Sequence, residues 1–266
     1  LQSIKTNEHK KMKKLLTLLA VSTLLFACEK EKEDKDKTNT FKSEEVTVYH
    51  GKSWSSVTLD KDGVPQQLAL ILDSNVLRTV YTGPSTPDHH HDNDLLIPIH
   101  SKGVEATPFK FIMLNWNPNG HEPEHVYDKP HFDIHFYLTN SGEVMNYTDE
   151  AKLESLPALD YLPANHVPGP AVPMMGKHWI DLATPELNGQ PFTQTFLFGS
   201  YNAEVVFYEP MITLDFLKTT KTFERTIPQP AKVKKTGYYP TKMKVSKKDD
   251  GTTSIILDGF VKRQAS

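Results

Sequence analysis

The sequence predicts an all-β fold, a sandwich or a cupin-like barrel with one short helix and a long proline-rich loop. Three observations carry this expectation. From about residue 43 onward, apolar residues recur mostly with period two, the spacing of strands with one buried face. Turn formers separate several of the runs, as at Lys61-Asp62-Gly63, Asn119-Gly120, Ser141-Gly142, Asn188-Gly189 and Asp250-Gly251. Many short strands punctuated in this way are the pattern of β-sandwiches and small barrels.

The chain opens differently. Lys10, Lys11, Lys13 and Lys14 surround Met12, and the apolar run LLTLLAVSTLLFA follows at 15–27. A basic region, an apolar stretch of this length and a small residue at its end predict a secretory signal over 12–27. The run is shorter than the roughly 20 residues that cross a bilayer as a helix. Cys28 is the only cysteine, and Leu25-Phe26-Ala27-Cys28 resembles a bacterial lipobox, in which the cysteine carries the lipid. The expectation is a lipid-anchored cell-envelope protein, on the outer membrane of a Gram-negative bacterium. With no second cysteine, the rest of the chain has neither disulfides nor thiolate chemistry. EKEKEDKDKTNT, at 29–40, holds no large apolar residue and cannot offset the entropy of folding, so 28–42 reads as a charged tether. A charged stretch at this position is similar to surface-export signals of bacterial lipoproteins.

One domain is expected over 43–266. EVTVYH (45–50), SSVTLD (55–60), QQLALILD (66–73), NVLRTVYT (75–82), DLLIPIH (94–100) and FKFIMLNW (109–116) read as strands. FDIHFYLT (132–139), FTQTFLFG (192–199), AEVVFYE (203–209) and TSIILDGF (253–260) do so as well. Thr148 is placed to cap a helix from Asp149 to about Ser155, which Pro157 stops. Four prolines between Ala158 and Pro173 predict a long irregular loop. The Lys-rich stretch 218–249 reads either as part of the domain or as a peripheral appendage. Charge is nearly balanced, 30 basic against 33 acidic residues, which excludes the basic excess of a general nucleic-acid binder.

The chemistry concentrates in NWNPNGHEPEHVYDKPHFDIHFY, which places His121, His125, His131 and His135 within 15 residues of one another. HEPEH matches the H-E-x-x-H pattern of zinc proteases, whose chemistry needs a helix to bring both histidines to one face. Pro123 lies inside the motif, Pro118 and Gly120 precede it and Pro130 follows, so that helix cannot form. In His131-Phe132-Asp133-Ile134-His135 the polar residues share one strand face and the apolar ones the other. Residues two apart on a strand lie about 6.6–6.8 Å apart and can converge on one ion; His131 and His135, about 13 Å apart, cannot unless the strand bends. At most two of these three are then direct ligands of one ion. His121, His178 and Glu209 are the candidates to complete the set. Histidine with carboxylate suits zinc first, and iron as well. Asp88-His89-His90-His91-Asp92 is a second, loop-borne cluster.

Gly120-His121, Tyr127 and Pro130-His131-Phe132-Asp133-Ile134-His135-Phe136-Tyr137 together resemble an uncharacterised bacterial envelope family, a domain of unknown function. Val172-Pro173-Met174-Met175-Gly176-Lys177-His178-Trp179, Phe198-Gly199-Ser200-Tyr201 and Glu209-Pro210-Met211 add to the likeness. The resemblance implies that His121, His131, Asp133, His135, His178 and Glu209 belong together, and it does not require His125. It implies no activity.

The expected site therefore has His121, His131, His135 and His178 as metal ligands. Asp133 and Glu209 are general bases where they are not ligands. The functional expectation is a metal-dependent hydrolase or lyase that activates water. Its rivals are an iron oxygenase and a non-enzymatic metal- or glycan-binding lipoprotein. Trp54, Trp116 and Trp179 are the candidate sugar-stacking residues, and a small molecule or glycan is the expected ligand.

Overall fold

Period-two alternation is realised as strands throughout a computed structural model that describes residues 37–82 and 94–266. The secretory signal, Cys28, the first part of the tether and the histidine cluster Asp88–Asp92 lie outside the described residues. In chain order the strands are β1 (Thr38–Lys42), β2 (Val46–Val48), β3 (Gly51–Asp60), β4 (Pro65–Leu72), β5 (Leu95–Pro98), β6 (Phe111–Asn117), β7 (His131–Tyr137) and β8 (His166–Val172). They continue as β9 (Gly176–Asp181), β10 (Gln194–Tyr201), β11 (Glu204–Thr213), β12 (Thr222–Thr226), β13 (Gly237–Tyr239), β14 (Lys242–Lys247), β15 (Thr253–Asp258) and β16 (Val261–Arg263). Short helices α1 (Ser74–Thr79), α2 (Ser101–Ala106), α3 (Ser141–Val144), α4 (Glu150–Leu153) and α5 (Leu214–Thr219) connect them.

Two antiparallel sheets pack as a sandwich. The first runs β1-β3-β4-β15-β14-β12, with β2 also on β3; the second runs β5-β6-β7-β11-β10-β9-β8. The β13–β16 pair stands apart from both. Leu68, Leu70 and Leu72 of β4 and Ile255 and Leu257 of β15 meet Ile112, Leu114, Phe132, Ile134 and Phe136 of the second sheet in one core. Each fully buried side chain of this size contributes about 1.5–3 kcal/mol relative to exposure. Phe132, Ile134 and Phe136 point into that core, so alternation sends His131, Asp133 and His135 to the opposite face of the sheet. The second sheet ends at β5 and β8 without those strands pairing, so the barrel alternative does not hold and the sandwich does.

Several local expectations are corrected. The ordered domain starts at Thr38, inside the stretch read as tether, because Thr38–Lys42 pairs along β3 and Phe41 stacks on His100 at 5.3 Å. Residues 75–82, read as a strand, begin with α1, because the Asp73 carboxylate accepts from the Asn75 and Val76 N–H groups and caps a helix there. The single expected helix is α4, capped by Asp149 rather than Thr148; α1, α2, α3 and α5 are additional. The proline-rich loop contains β8, an end strand whose register on β9 shifts between Pro168 and Ala171. Proline is tolerated on such a strand because half of its N–H groups face away from the ladder. The Lys-rich stretch is no appendage: β12 and β14 complete the first sheet.

Candidate metal centre

The site is built on β7 and its two neighbours. On β6, Asn115 pairs with Asp133 and Asn117 with His131, so both amides share the polar face. On β11 the pairs Tyr208–Phe136 and Met211–Asp133 bracket Glu209 and bring it opposite His135. His178 enters from β9, where it pairs with Gly199 of β10. Gly199 is required there: a Cβ at that position would lie 1.9 Å from the Phe207 ring. The ring fills that space, and the imidazoles of His135 and His178 pack edge-on to it at 4.8 and 5.2 Å.

His121 comes from the loop joining β6 to β7. That loop is held by a bridge between His121 and Tyr127, and His125 and Glu124 point to solvent. Among the described residues no helix spans HEPEH, as the prolines predict.

Six side chains converge as two triads, His121–His131–Asp133 and His135–His178–Glu209. In each, one donor atom per residue lies within 4.8 Å of the others, so each triad could hold a metal ion. His131 and His135 fall in different triads.

The spacings match shared coordination. His131 Nε2 is 3.1 Å from Asp133 Oδ1 and His121 Nε2 is 3.3 Å from Asp133 Oδ2. His135 Nε2 is 3.4 Å from Glu209 Oε1 and His178 Nε2 is 3.7 Å from Glu209 Oε2. Two donors about 2.0–2.2 Å from one tetrahedral zinc are themselves about 3.4 Å apart.

Hydrogen bonding reinforces this. The Nδ1 atoms of His121, His131 and His178 lie against the carbonyls of Glu122, Lys129 and Pro170, at 2.7, 2.6 and 3.1 Å. An Nδ1–H donated to a carbonyl leaves the Nε2 lone pair facing the carboxylate, where two acceptors repel unless a proton or a cation lies between them. Among the described residues, Asp133 Oδ1, Glu209 Oε2 and both ring nitrogens of His135 are buried without a hydrogen bond of good geometry, with only the Met113 backbone against His135 and His131 Nε2 against Asp133 Oδ1. Buried polar atoms in native proteins are seldom left so, and four at one locus fit a bound cation. Asn117 Nδ2 donates to Asp133 Oδ2 at 2.7 Å and steadies the carboxylate.

Electrostatics separates the triads. Burial, with His178 beside it, pulls His135 down to about 3, and burial pulls His178 down to about 4. Both are neutral at pH 7 and available as ligands. Burial pushes Glu209 well above the usual carboxylate range, and the Asp133 charge pushes the same way. Burial also disfavours the Asp133 charge, but His131 and His121 outweigh it and hold that carboxyl well below its usual range. Burial lowers His121 while Asp133 raises it more, for a net rise. Without metal, the first triad favours a proton on His121 beside a charged Asp133, whereas the second favours the neutral form of each of its groups.

A cavity of about 480 Å³ opens over both triads, lined by His121 and Asp133 from one and His178 from the other. Asn115 of β6 and Pro170 of β8 both line it, although four strands lie between them. A flat sheet would hold these strands about 24 Å apart, so the sheet curls into an open trough around the site.

All six residues singled out in the sequence are brought together. Asn115, Asn117, Leu197 and Met211 were missed. The signal for the two asparagines was present, since they are the polar members of one face of FKFIMLNWN. Glu122, the second residue of HEPEH, also lines the cavity. Trp116 and Trp179 are core side chains, and Trp54 is covered by Lys42 at 4.0 Å. Comparison with protein-family models, curated proteins and solved structures gives no match.

Proposed function

We propose that this protein binds one divalent ion in each triad, zinc first, and uses metal-bound water to hydrolyse, or add water to, a small molecule held in the trough. The observation that carries this reading is the set of buried, unpartnered donor atoms spaced as ligands of shared ions beside an open cavity. A structural site is closed, whereas a catalytic one has three protein ligands and an open position for water. Each triad supplies three ligands, and the cavity adjoins both. A bound ion lowers the pKa of its water towards neutrality and polarises the substrate oxygen. With Asp133 and Glu209 as ligands, Glu122 at the cavity wall is the carboxylate left to take up a proton. In the same reading Cys28 carries the lipid that anchors the protein to the cell envelope.

The test is metal analysis of the purified protein after zinc loading and desalting. Two ions per chain are expected, falling to one in His135→Ala and one in His131→Ala. Undiminished metal in both variants would overturn the reading.

A further inference from the structure

The lining of the trough narrows what it accepts. Val172 ends β8 and Met175 lies in the turn after it, and Ile180, Leu197 and Met211 form a continuous apolar wall beside the triads on the same face of the sheet. Among the described residues, no lysine or arginine lines the cavity. Lys177, next to His178 in sequence, pairs with Glu154 at 2.7 Å, and Lys129, two residues before His131, donates to the Phe192 carbonyl. Arginine and lysine are common clamps on phosphoryl groups, and the cavity lining has neither. Glu122 adds negative charge at the wall and further disfavours an anionic tail. On the polar side, Asn115 Nδ2 is taken by Asp94, which leaves its buried Oδ1 as an unpaired acceptor. That oxygen lies beneath the cavity surface and places no demand on the ligand. The volume, about 480 Å³, lies in the range of small-molecule pockets.

We infer that the trough takes an uncharged acyl compound, with its carbonyl towards the metal ligands and an aliphatic tail on the Ile180–Leu197–Met211 wall. A short-chain acyl amide is the simplest member of that class. This inference rests on the two-triad metal reading.

The probes are acetohydroxamate, hexanohydroxamate and the same six-carbon chain ending in a carboxylate or an ammonium, titrated against the zinc-loaded protein by calorimetry. All four share the metal-binding head and differ only in the tail. Hexanohydroxamate should bind at least about tenfold tighter than acetohydroxamate, since each buried methylene contributes about 0.8 kcal/mol. Both charged tails should lose that gain. Ile180→Ala, within the wall itself, should weaken the chain-length preference, with zinc content measured on the same sample. Equal affinity for all four probes on a protein that holds its zinc would overturn the substrate class and leave the metal reading intact. A protein that holds no zinc would remove the basis of both.

Discussion

At the scale of single residues, the account turns on side chains whose polar atoms are buried without partners. Glu209→Gln preserves shape but removes the charge that balances a cation. It should cost the second triad its ion while leaving the fold intact, read by metal content alongside circular dichroism. The pH dependence has a definite sign. His121 is raised above its ordinary value and Glu209 well above its own, so both hold protons in the metal-free protein at pH values where the free groups would not. Metal must displace those protons, so apparent affinity should rise with pH, by up to about tenfold per unit for each proton released. Zinc titrations at pH 6, 7 and 8 that give one affinity would contradict this. Gly199→Ala drives a methyl group into the Phe207 ring. It should destabilise the protein by about 1–3 kcal/mol in urea unfolding, the usual cost of overpacking. His131, Asp133 and His135 were legible because they alternate with Phe132, Ile134 and Phe136 along one strand, whereas His121, His178 and Glu209 stood out as lone donors on other segments. The apolar wall was not, since Leu197 and Met211 look like any other core residues until the sheet curls.

At the scale of elements, alternation located most of the strands but misjudged where local capping or pairing decides. NVLRTVYT carries strand-favouring residues, yet the Asp73 cap makes its first half helical. That carboxylate also accepts from the Lys52 N–H, tying α1 to β3. Asp73→Ala should therefore cost about 1–2 kcal/mol, measured by chemical denaturation. β8 was hidden by its prolines, which mark irregular chain except on an unpaired edge. β1 was hidden by the charged run before it; only its register on β3 reveals it as strand. β12 and β14 were obscured because lysines alternate with single apolar residues, and one such residue per pair of positions, as with Met243 and Val245, is enough to cover a core.

At the scale of the whole molecule, the sandwich separates two tasks. One face of the second sheet builds the core with the first sheet, and the other, curled, holds the triads beneath the cavity. The fold class followed from period two and turn residues, but the curl did not, because it depends on how strands distant in sequence pair. Metal bound only by the folded state should stabilise the whole domain, by about 2.7 kcal/mol per site at a free zinc concentration one hundred times that site's dissociation constant. Chelation should lower the melting temperature accordingly. The most direct test of the two-triad centre is zinc stoichiometry by elemental analysis, on wild type, His131→Ala, His135→Ala and the double variant. Two ions, one, one and none are expected in that order, with all four proteins folded. Equal zinc in wild type and the double variant, or none in wild type, would contradict it.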